Sequence, residues 1–407
     1  MAATAAAPRA PKATQAVLDA YARHVMPTYH RTPLVVTKAK GSRVWDIEGR
    51  EYLDLFPGWG VSALGYNHPW VMTALRGQAT RVAHVSNNYY HPLQAKAAKR
   101  LVEASFPGKV FFTNSGAEAV ETAVKLSRRW GQGRFEIIVM EQSFHGRTMA
   151  ALSATGQSKY QEGFEPLVPG FVRVPYNDLE AARRAVTPRT VAVLVEPIQG
   201  EGGVRVPDPG FLPGLRRLCD EHRLLLIADE VQTGMGRTGA WFASLRASVE
   251  PDVLLVAKAL GGGFPIGAVV AKAAVADTLG PGTHATTYGG NPLGCACILA
   301  AFEAITKQRL LERVAALSPW LIARLEGMQP RAPLIREVRG AGFMIGVELS
   351  EDGQPIVEAC RARGLLINCT QGTVLRLLPA LTITKAQLER ACDILEGVLC
   401  QRVISSP

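Results

Sequence analysis

The sequence predicts an α/β fold, in which a large domain with a mostly parallel central sheet is followed by a small α+β domain. Apolar runs alternate with segments of helical character through the middle of the chain, and these runs read FEIIVME, VAVLVEP, LLLIADE, DVLLVAK and GAVVAK. Short continuous apolar runs are typical of strands that are buried on both faces. Their alternation with helices favours an open, mostly parallel sheet.

The segment before this alternation predicts a helix and then a strand meander. Residues 14–29 carry a loosely helical pattern, and LVVTKAKGSRVWDIEGREYLDL follows with Gly-Ser and Glu-Gly as turn signals. The first residues are rich in Ala and contain no acid before Asp19. We interpret residues 1–12 as a disordered leader, with a transit peptide as the alternative. We expect residues 13–55 to pack with the small domain.

The large domain is expected to span residues 56–328 and the small domain residues 329–407. The tail changes character, because IREVRGAGFMIGVEL, LLINCT and VLRLLP are strand-like and a final helix follows. Helices are predicted at residues 70–83, 92–105, 116–130, 210–222, 240–247, within 291–328 and at 384–401.

Composition and charge narrow the classes of function. The chain has 407 residues, of which 47% are hydrophobic and 20% charged, so a large core is possible. The net charge is +10, but no run of five or more Lys or Arg occurs, which favours anionic small molecules over nucleic acid as partners. No apolar run reaches the ~18 residues of a membrane span. Seven cysteines without a CxxC pair favour a reducing compartment and indicate neither disulfides nor a metal site.

Two of the apolar runs end in an ionisable residue. Asp229 ends LLLIAD, and Lys258 ends VLLVAK shortly before a glycine run. Because ligands of parallel sheets bind at the carboxyl ends of the strands, both side chains are expected in one crevice. A lysine that forms a Schiff base and an acid that holds a pyridinium need such an arrangement. The alternative is that each charged residue merely marks the point where the chain leaves the core.

Two segments are candidates for binding phosphate. In FTNSGAE, a predicted strand meets a helix at Ser115, which forms a capping box with Glu118, and Gly116 lies in the first turn. Free N–H groups at such a helix start bind anions, although an ordinary capped helix is the alternative. Thr286 and Thr287, in the loop GTHATTYGGNP, also suit phosphate oxygens or form an ordinary polar loop.

Other candidates are aromatic, basic and acidic residues near strand ends. In SFHGR, Phe144 suits contact with a flat ring and Arg147 suits binding of an anion. The alternative is that Phe144 is an ordinary core residue and Arg147 an ordinary surface residue. Glu196 and Glu201 lie beside glycine-rich backbone and either reach a ligand or shape a loop. Arg376 is a lone charge in VLRLLP. If it is buried it needs a substrate carboxylate or an internal acid, and otherwise it faces water at an edge.

A GxGxxG pattern at residues 234–239 does not predict dinucleotide binding. The segment DEVQT separates it from the preceding strand, and no acid closes a second strand about 20 residues later. We therefore interpret this pattern as a structural loop.

Six ordered motifs identify a family. They are NSGAEA, SFHGRT, VEPIQGEGG, ADEVQTGMGRTG, AKALGGGFP and THATTYGGNP, and the likeness extends over residues 25–400. Together they resemble the class III aminotransferases that depend on pyridoxal 5'-phosphate (PLP), which implies the PLP-transferase fold type I. Within the class, FHGR and the GTH–TT–GGNP loop are most similar to acetylornithine aminotransferases.

The resemblance implies how the ring of PLP is held. Lys258 binds the cofactor covalently and moves protons, and Asp229 pairs with the pyridine nitrogen. Gln232 lies near the ring hydroxyl, and Phe144 stacks on the ring.

The resemblance also implies a phosphate seat that is shared between two subunits of a homodimer. Ser115, Gly116 and Ala117 hold the phosphate at their helix start. Thr287 reaches the phosphate of the neighbouring subunit.

The substrate-binding residues follow from the same resemblance. Arg147 and Thr286 contact the acylated ornithine, and Arg376 binds the α-carboxylate of glutamate or 2-oxoglutarate. Glu201 is similar to the acid that covers this arginine when an ω-amine is bound. Trp59 departs from the pattern, because acetylornithine enzymes carry a small aliphatic residue there and ornithine enzymes a tyrosine.

The implied reaction is N-acetyl-L-ornithine plus 2-oxoglutarate giving N-acetyl-L-glutamate 5-semialdehyde and L-glutamate, in arginine biosynthesis and in the cytoplasm. Ornithine, succinylornithine, γ-aminobutyrate and acyl-lysine-type donors are the alternatives within the class. An aminomutase or racemase, and a non-enzymatic binding protein on the same scaffold, are alternatives outside it. The expected partners are amino-acid substrates, 2-oxoglutarate and a second copy of the chain, with no metal, nucleic acid or membrane.

Overall fold

The computed structural model describes residues 11–405. Its N-terminal part contains helix α1 (Lys12–His24) and an antiparallel meander of β1 (Val36–Lys40), β2 (Arg43–Asp46) and β3 (Glu51–Asp54). The helix ends before the predicted residue 29, because Pro27 disfavours helical backbone at the residue before it. All but the last two residues of the predicted leader lie outside the described residues.

The middle of the chain alternates strands and helices, as its apolar runs predict. Its elements are α2 (Pro69–Ala79), α3 (Pro92–Ala104), β4 (Lys109–Thr113), α4 (Gly116–Trp130), β5 (Glu136–Met140), α5 (Met149–Ala154), β6 (Phe171–Val174), α6 (Leu179–Arg184), β7 (Thr190–Val195), α7 (Phe211–His222), β8 (Leu225–Asp229), α8 (Ala243–Arg246), β9 (Val253–Val256), β10 (Gly267–Ala271), α9 (Ala273–Ala276), α10 (Pro292–Lys307) and α11 (Leu310–Glu326).

These strands form a seven-stranded sheet in the order β4-β10-β9-β8-β7-β5-β6. The pairs among β5 to β9 are parallel, whereas β10 is antiparallel to both β9 and β4. Strands β5, β7, β8, β9 and β10 are buried along their whole length. Helices therefore cover both faces of the sheet, and the carboxyl ends of the parallel strands lie together at one edge.

The C-terminal part has a second, antiparallel sheet in the order β11-β12-β15-β14. Its elements are β11 (Ile335–Ala341), β12 (Met344–Leu349), α12 (Gln354–Ala362), β13 (Leu365–Leu366), β14 (Asn368–Thr370), β15 (Val374–Leu377) and α13 (Lys385–Ser405). Strand β13 instead pairs with β3 of the N-terminal meander. This pairing supports our proposal that residues 13–55 and 329–407 form one unit beside the large domain of residues 56–328.

Two helix predictions need correction. The predicted helix 240–247 shortens to α8, because Phe242 is fully buried in an extended conformation. The helical stretch 291–328 divides into α10 and α11, because Arg309 adopts a left-handed conformation with φ 50° between them. Across residues 11–405, none of the helices combines the length and apolar character that crossing a bilayer requires.

Candidate active site

A cavity of about 450 Å³ opens at the edge of the sheet where the parallel strands end. It lies where β8 and β9 end, so that Asp229 and Lys258 both line it. Nine of the thirteen predicted site residues line it: Ser115, Gly116, Ala117, Phe144, Arg147, Glu201, Asp229, Gln232 and Lys258.

Asp229 is a buried carboxylate that is held from two sides. Its Oδ2 lies 2.7 Å from Nδ1 of His145, and its Oδ1 accepts a hydrogen bond from the N–H of Val231 at 3.1 Å. His145 is also buried, and its Nε2 has no hydrogen-bond partner among the described residues. Because the imidazole orients the acid, the carboxyl group of Asp229 is held in a fixed position at the cavity.

The sequence interpretation missed His145. The residue stands inside the quoted SFHGR motif, but only its neighbours Phe144 and Arg147 received a role. The available signal was a polar residue at a strand end beside two assigned positions.

Lys258 follows β9 in a strained conformation, with φ 42° at the start of a short 3₁₀ turn that runs to Gly261. Left-handed backbone is costly for a residue with a side chain and is common at functional sites. Burial lowers the pKa of Lys258, and Arg376 lowers it further, whereas Glu201 and Asp229 raise it. The residue is open to the cavity on one side while protein surrounds its ammonium group, which favours a neutral, nucleophilic amine.

Gln232 lies against this lysine. With its amide oxygen 3.2 Å from Nζ of Lys258, its amide nitrogen donates to the carbonyl of Trp59 at 3.2 Å. Its amide end also fills the space beside Gly60, where an added Cβ would lie 2.6 Å from the nearest amide atom. Gln232 therefore ties the loop at residues 57–60 to the lysine.

The start of α4 has the geometry of an anion site. Ser115 caps the helix by accepting from the N–H of Glu118 at 3.2 Å, and the carboxylate of Glu118 accepts from the N–H of Asn114 at 2.9 Å. The N–H groups of Gly116 and Ala117 have no acceptor within the helix, because the first turn provides none. Both residues line the cavity, and the positive end of the helix dipole lies there.

The walls of the cavity suit a flat ring. Phe144 and Val231 line it together, and a Cβ added to Gly116 would lie 2.9 Å from Val231. An aromatic wall, an aliphatic wall, an anion seat, a buried acid and a lysine therefore converge on one space. This set fits PLP, because the phosphate, the pyridine nitrogen and the aldehyde each find a group of suitable chemistry.

Glu196, which was left between a ligand role and a loop role, shapes the loops of the cavity. Its carboxylate accepts from the N–H of Phe144 at 3.0 Å and from the N–H of Gly200 at 3.3 Å. Burial raises the pKa of Glu196 to about 7, while His145 lowers it and Asp229 raises it.

Arg376 is fully buried and meets an internal acid. Its Nη1 lies 2.7 Å from Oε1 of Glu201, which is the pairing implied by the family resemblance. Phe56 and Trp59 place their ring centroids 4.8 and 5.5 Å from the guanidinium carbon. The alternative of a water-facing edge residue is wrong, because β15 lies between β12 and β14.

Arg147 also lines the cavity and is exposed. Its guanidinium carbon lies 3.9 Å from the ring centroid of Tyr160, which in turn packs edge-on against Phe144. A cation that stacks on an aromatic ring keeps its N–H groups available for a carboxylate.

The predicted residues Trp59, Thr286 and Thr287 do not line this cavity, and Arg376 lies behind Glu201. Trp59 sits at the rim, 53% exposed and with φ 61°. The hydroxyl of Thr286 bonds Asn114 and the N–H of Gly289, both at 3.2 Å. Thr287 is exposed and does not line the cavity of its own chain.

The GxGxxG segment at residues 234–239, which follows β8 of the seven-stranded sheet, contacts the C-terminal part of the chain. Arg237 is fully buried and donates to the carbonyls of Pro379 at 2.5 Å and Phe343 at 3.3 Å. Glu230, just before it, binds the N–H groups of Ala243 and Ser244 at 2.8 and 2.7 Å. These contacts account for the segment without a ligand.

Comparison with known proteins places this geometry in a family. The model of the family described as Aminotransferase class-III matches residues 25–399. The acetylornithine aminotransferase of Methanothermobacter thermautotrophicus is 46% identical over 386 residues, which cover 95% of this chain and 99% of that protein.

Two solved structures extend the comparison. The ornithine aminotransferase of Toxoplasma gondii, with partial occupancy of PLP at its active site, has a TM-score of 0.92 and 35% identity, covering 95% of this chain and 94% of that one. The acetylornithine aminotransferase of Elizabethkingia anophelis has a TM-score of 0.86 and 34% identity, covering 95% of this chain and 99% of that one. The chain therefore belongs to the class-III aminotransferases, and the family, fold type and PLP dependence predicted from its motifs are confirmed.

Proposed function

We propose that this enzyme transfers the ω-amino group of N-acetyl-L-ornithine to 2-oxoglutarate, producing N-acetyl-L-glutamate 5-semialdehyde and L-glutamate. The observation that carries the proposal is the ion pair of Arg376 and Glu201 beside Lys258. An ω-amine brings no carboxylate close to its reacting nitrogen, so the closed pair accommodates it. A 2-oxo acid brings one, and it can replace Glu201 on the arginine. The names of the curated relatives favour the acetylated donor.

Each of the site's side chains has a separate role in the proposed transamination. When bound, PLP supplies an electron sink for the negative charge that develops on the substrate carbon. Asp229, oriented by His145, keeps a proton on the nitrogen that faces it. The Nζ of Lys258 would take the proton from the substrate carbon and deliver it to the cofactor carbon on the other side of the reacting nitrogen, which is a 1,3 shift. Arg147, stacked on Tyr160, is the cation that the donor's own carboxylate can reach.

A homodimer in the cytoplasm is part of the proposal. Thr287 and its neighbour Tyr288 are exposed and do not line the cavity of their own chain. Tyr89 and Tyr90 are also highly exposed, and large exposed aromatic residues are typical of interfaces. These features support a shared site, in which the loop at residues 283–291 completes the phosphate seat of a second copy.

One observation favours ornithine as a second candidate donor. Trp59 places an aromatic ring at the rim of the cavity, where ornithine enzymes of the family carry a tyrosine. Its indole lies over Arg376, so it can limit the space for an acyl group at this end.

The test is a donor panel with the holoenzyme. Conversion of the bound cofactor is followed by absorbance with N-acetylornithine, ornithine, succinylornithine and γ-aminobutyrate in single half-reactions. The proposal expects N-acetylornithine to have the highest kcat/KM, and preferred conversion by ornithine or γ-aminobutyrate would overturn it. Lys258→Ala is the control, since it should lose both the borohydride-reducible bond to the cofactor and turnover.

A further inference from the structure

The contacts on the inner side of Arg376 carry an inference that rests on the proposed function. Asn368 of β14 stands directly opposite Arg376 in the antiparallel register with β15. Directly opposed residues project to the same face of a sheet. On the other neighbour, β12, the opposed residue is Gly346, which has no side chain. Arg376 therefore has one cross-strand partner, and that partner is an amide.

The amide binds one edge of the guanidinium. Oδ1 of Asn368 accepts from Nε of Arg376 at 3.1 Å and from Nη2 at 2.9 Å. A guanidinium has five N–H donors in a planar fork. Asn368 binds the edge formed by Nε and Nη2, which leaves the edge formed by Nη1 and Nη2 on the side of Glu201, a residue that lines the cavity. Glu201 takes Nη1 alone, at 2.7 Å.

The chemistry of the inner partner decides how the outer edge behaves. A neutral amide oxygen orients the arginine without cancelling its charge. A carboxylate in the same place would neutralise the arginine and repel an incoming carboxylate. The neutral partner lies inside and the charged partner outside, so the full positive charge becomes available when Glu201 withdraws.

The end of β14 and the residue that follows it also hold the main chain of Glu201. The hydroxyl of Thr370 and the amide of Gln371 donate to the carbonyl of Glu201 at 2.8 and 2.7 Å. The backbone of Glu201 is thus fixed, whereas its carboxylate has Arg376 as its only hydrogen-bond partner among the described residues. The acid can leave the arginine by rotating its side chain, without moving the loop.

We propose that Asn368 is a positioning residue, which keeps the guanidinium of Arg376 aimed into the cavity after Glu201 has moved away. Through Arg376 it sets the affinity for the 2-oxo acid, and it leaves the affinity for the ω-amine unchanged. Phe56 and Trp59 cover the faces of the guanidinium but offer no hydrogen-bond acceptor to its side edge, so they do not replace the amide.

The experiment measures the two half-reactions of the holoenzyme separately, by cofactor absorbance. Asn368→Ala should raise the apparent Kd for 2-oxoglutarate about tenfold or more, since a hydrogen bond to a charged group is lost. The Kd for N-acetylornithine should change less than about threefold. Asn368→Asp should weaken 2-oxoglutarate at least as much, because it keeps an acceptor for Nε and Nη2 of Arg376 but adds a negative charge that repels the incoming carboxylate. A purely structural role predicts normal 2-oxoglutarate binding in this variant.

Cys369→Ser is the matched control, because residue 369 projects from the opposite face of the same strand. It should leave both half-reactions unchanged. Equal loss in both half-reactions of Asn368→Ala, or no loss in either, overturns the inference. Arg376→Ala distinguishes a failure of this inference from a failure of the proposed function. If it loses 2-oxoglutarate binding while both Asn368 variants keep it, the inference alone fails. If it binds 2-oxoglutarate normally, the proposed function fails as well.

Discussion

Removing the acid that covers Arg376 should strengthen binding of the 2-oxo acid. Glu201 has a side-chain exposure of 14% and Arg376 of 0%, so solvent screens their 2.7 Å contact only weakly. A 2-oxo acid must displace Glu201 before it binds the arginine. A hydrogen bond to a charged group contributes about 1.5–3 kcal/mol. Glu201→Ala removes this competition, so the Kd for 2-oxoglutarate should fall about 10- to 100-fold.

The assay is titration of the aminated holoenzyme with 2-oxoglutarate, followed by cofactor absorbance. Glu201→Gln is the matched control, because it keeps the shape of the side chain and one acceptor but removes the charge. Its Kd for 2-oxoglutarate should lie between those of the wild type and Glu201→Ala. Glu201→Ala also leaves the buried guanidinium of Arg376 without its acid, which destabilises the free protein. Added 2-oxoglutarate should therefore raise the melting temperature of Glu201→Ala more than that of the wild type. An unchanged or weakened affinity in Glu201→Ala would refute the reasoning.

Three further predictions concern other parts of the molecule. His145→Ala removes the 2.7 Å partner of Asp229 and should weaken PLP binding about tenfold, measured by cofactor release on dilution, whereas His145→Gln, which keeps a donor, should retain more of it. Trp59→Ile opens the rim and should raise the ratio of kcat/KM for N-acetylornithine to that for ornithine about tenfold, so an unchanged ratio would argue against a role in donor choice. Burial raises the pKa of Asp54 from 3.8 to about 6, so the fold favours its protonated form, and its contribution to stability is present below about pH 4 and is lost as the pH rises through about 6. Asp54→Asn should therefore gain up to about 3 kcal/mol relative to the wild type at pH 8 and almost nothing at pH 4, as urea denaturation would show.

The sequence could predict the strand ends because that reasoning is local. Asp229 and Lys258 each follow an apolar run, and the carboxyl ends of parallel strands share one edge. The helix start at Ser115 was equally accessible, since a capping box is a four-residue pattern. The direction of β10 was not accessible, because an apolar run buried on both faces reads the same whichever way it runs.

The missing parts of the site depend on register and on distant segments. Asn368 meets Arg376 only because β14 and β15 pair in one particular register, which neither strand encodes alone. His145 follows β5 and Asp229 ends β8, with β7 between the two strands, so the role of His145 needs the order of the sheet. The place of Thr287 needs a second chain, and its role stays a prediction.

The antiparallel strand β10 has a consequence for how the cofactor site is assembled during folding. The strand carrying the phosphate seat, β4, belongs to the sheet only through β10, which also borders β9 and thus the lysine. Seat and lysine come from distant parts of the chain and acquire their relative positions only when β10 has docked between them. Such non-local pairing is slow, because its loop-closure entropy must be spent before the contacts form. The ability to hold PLP is therefore a property of the completed sheet, and no segment of the chain acquires it earlier.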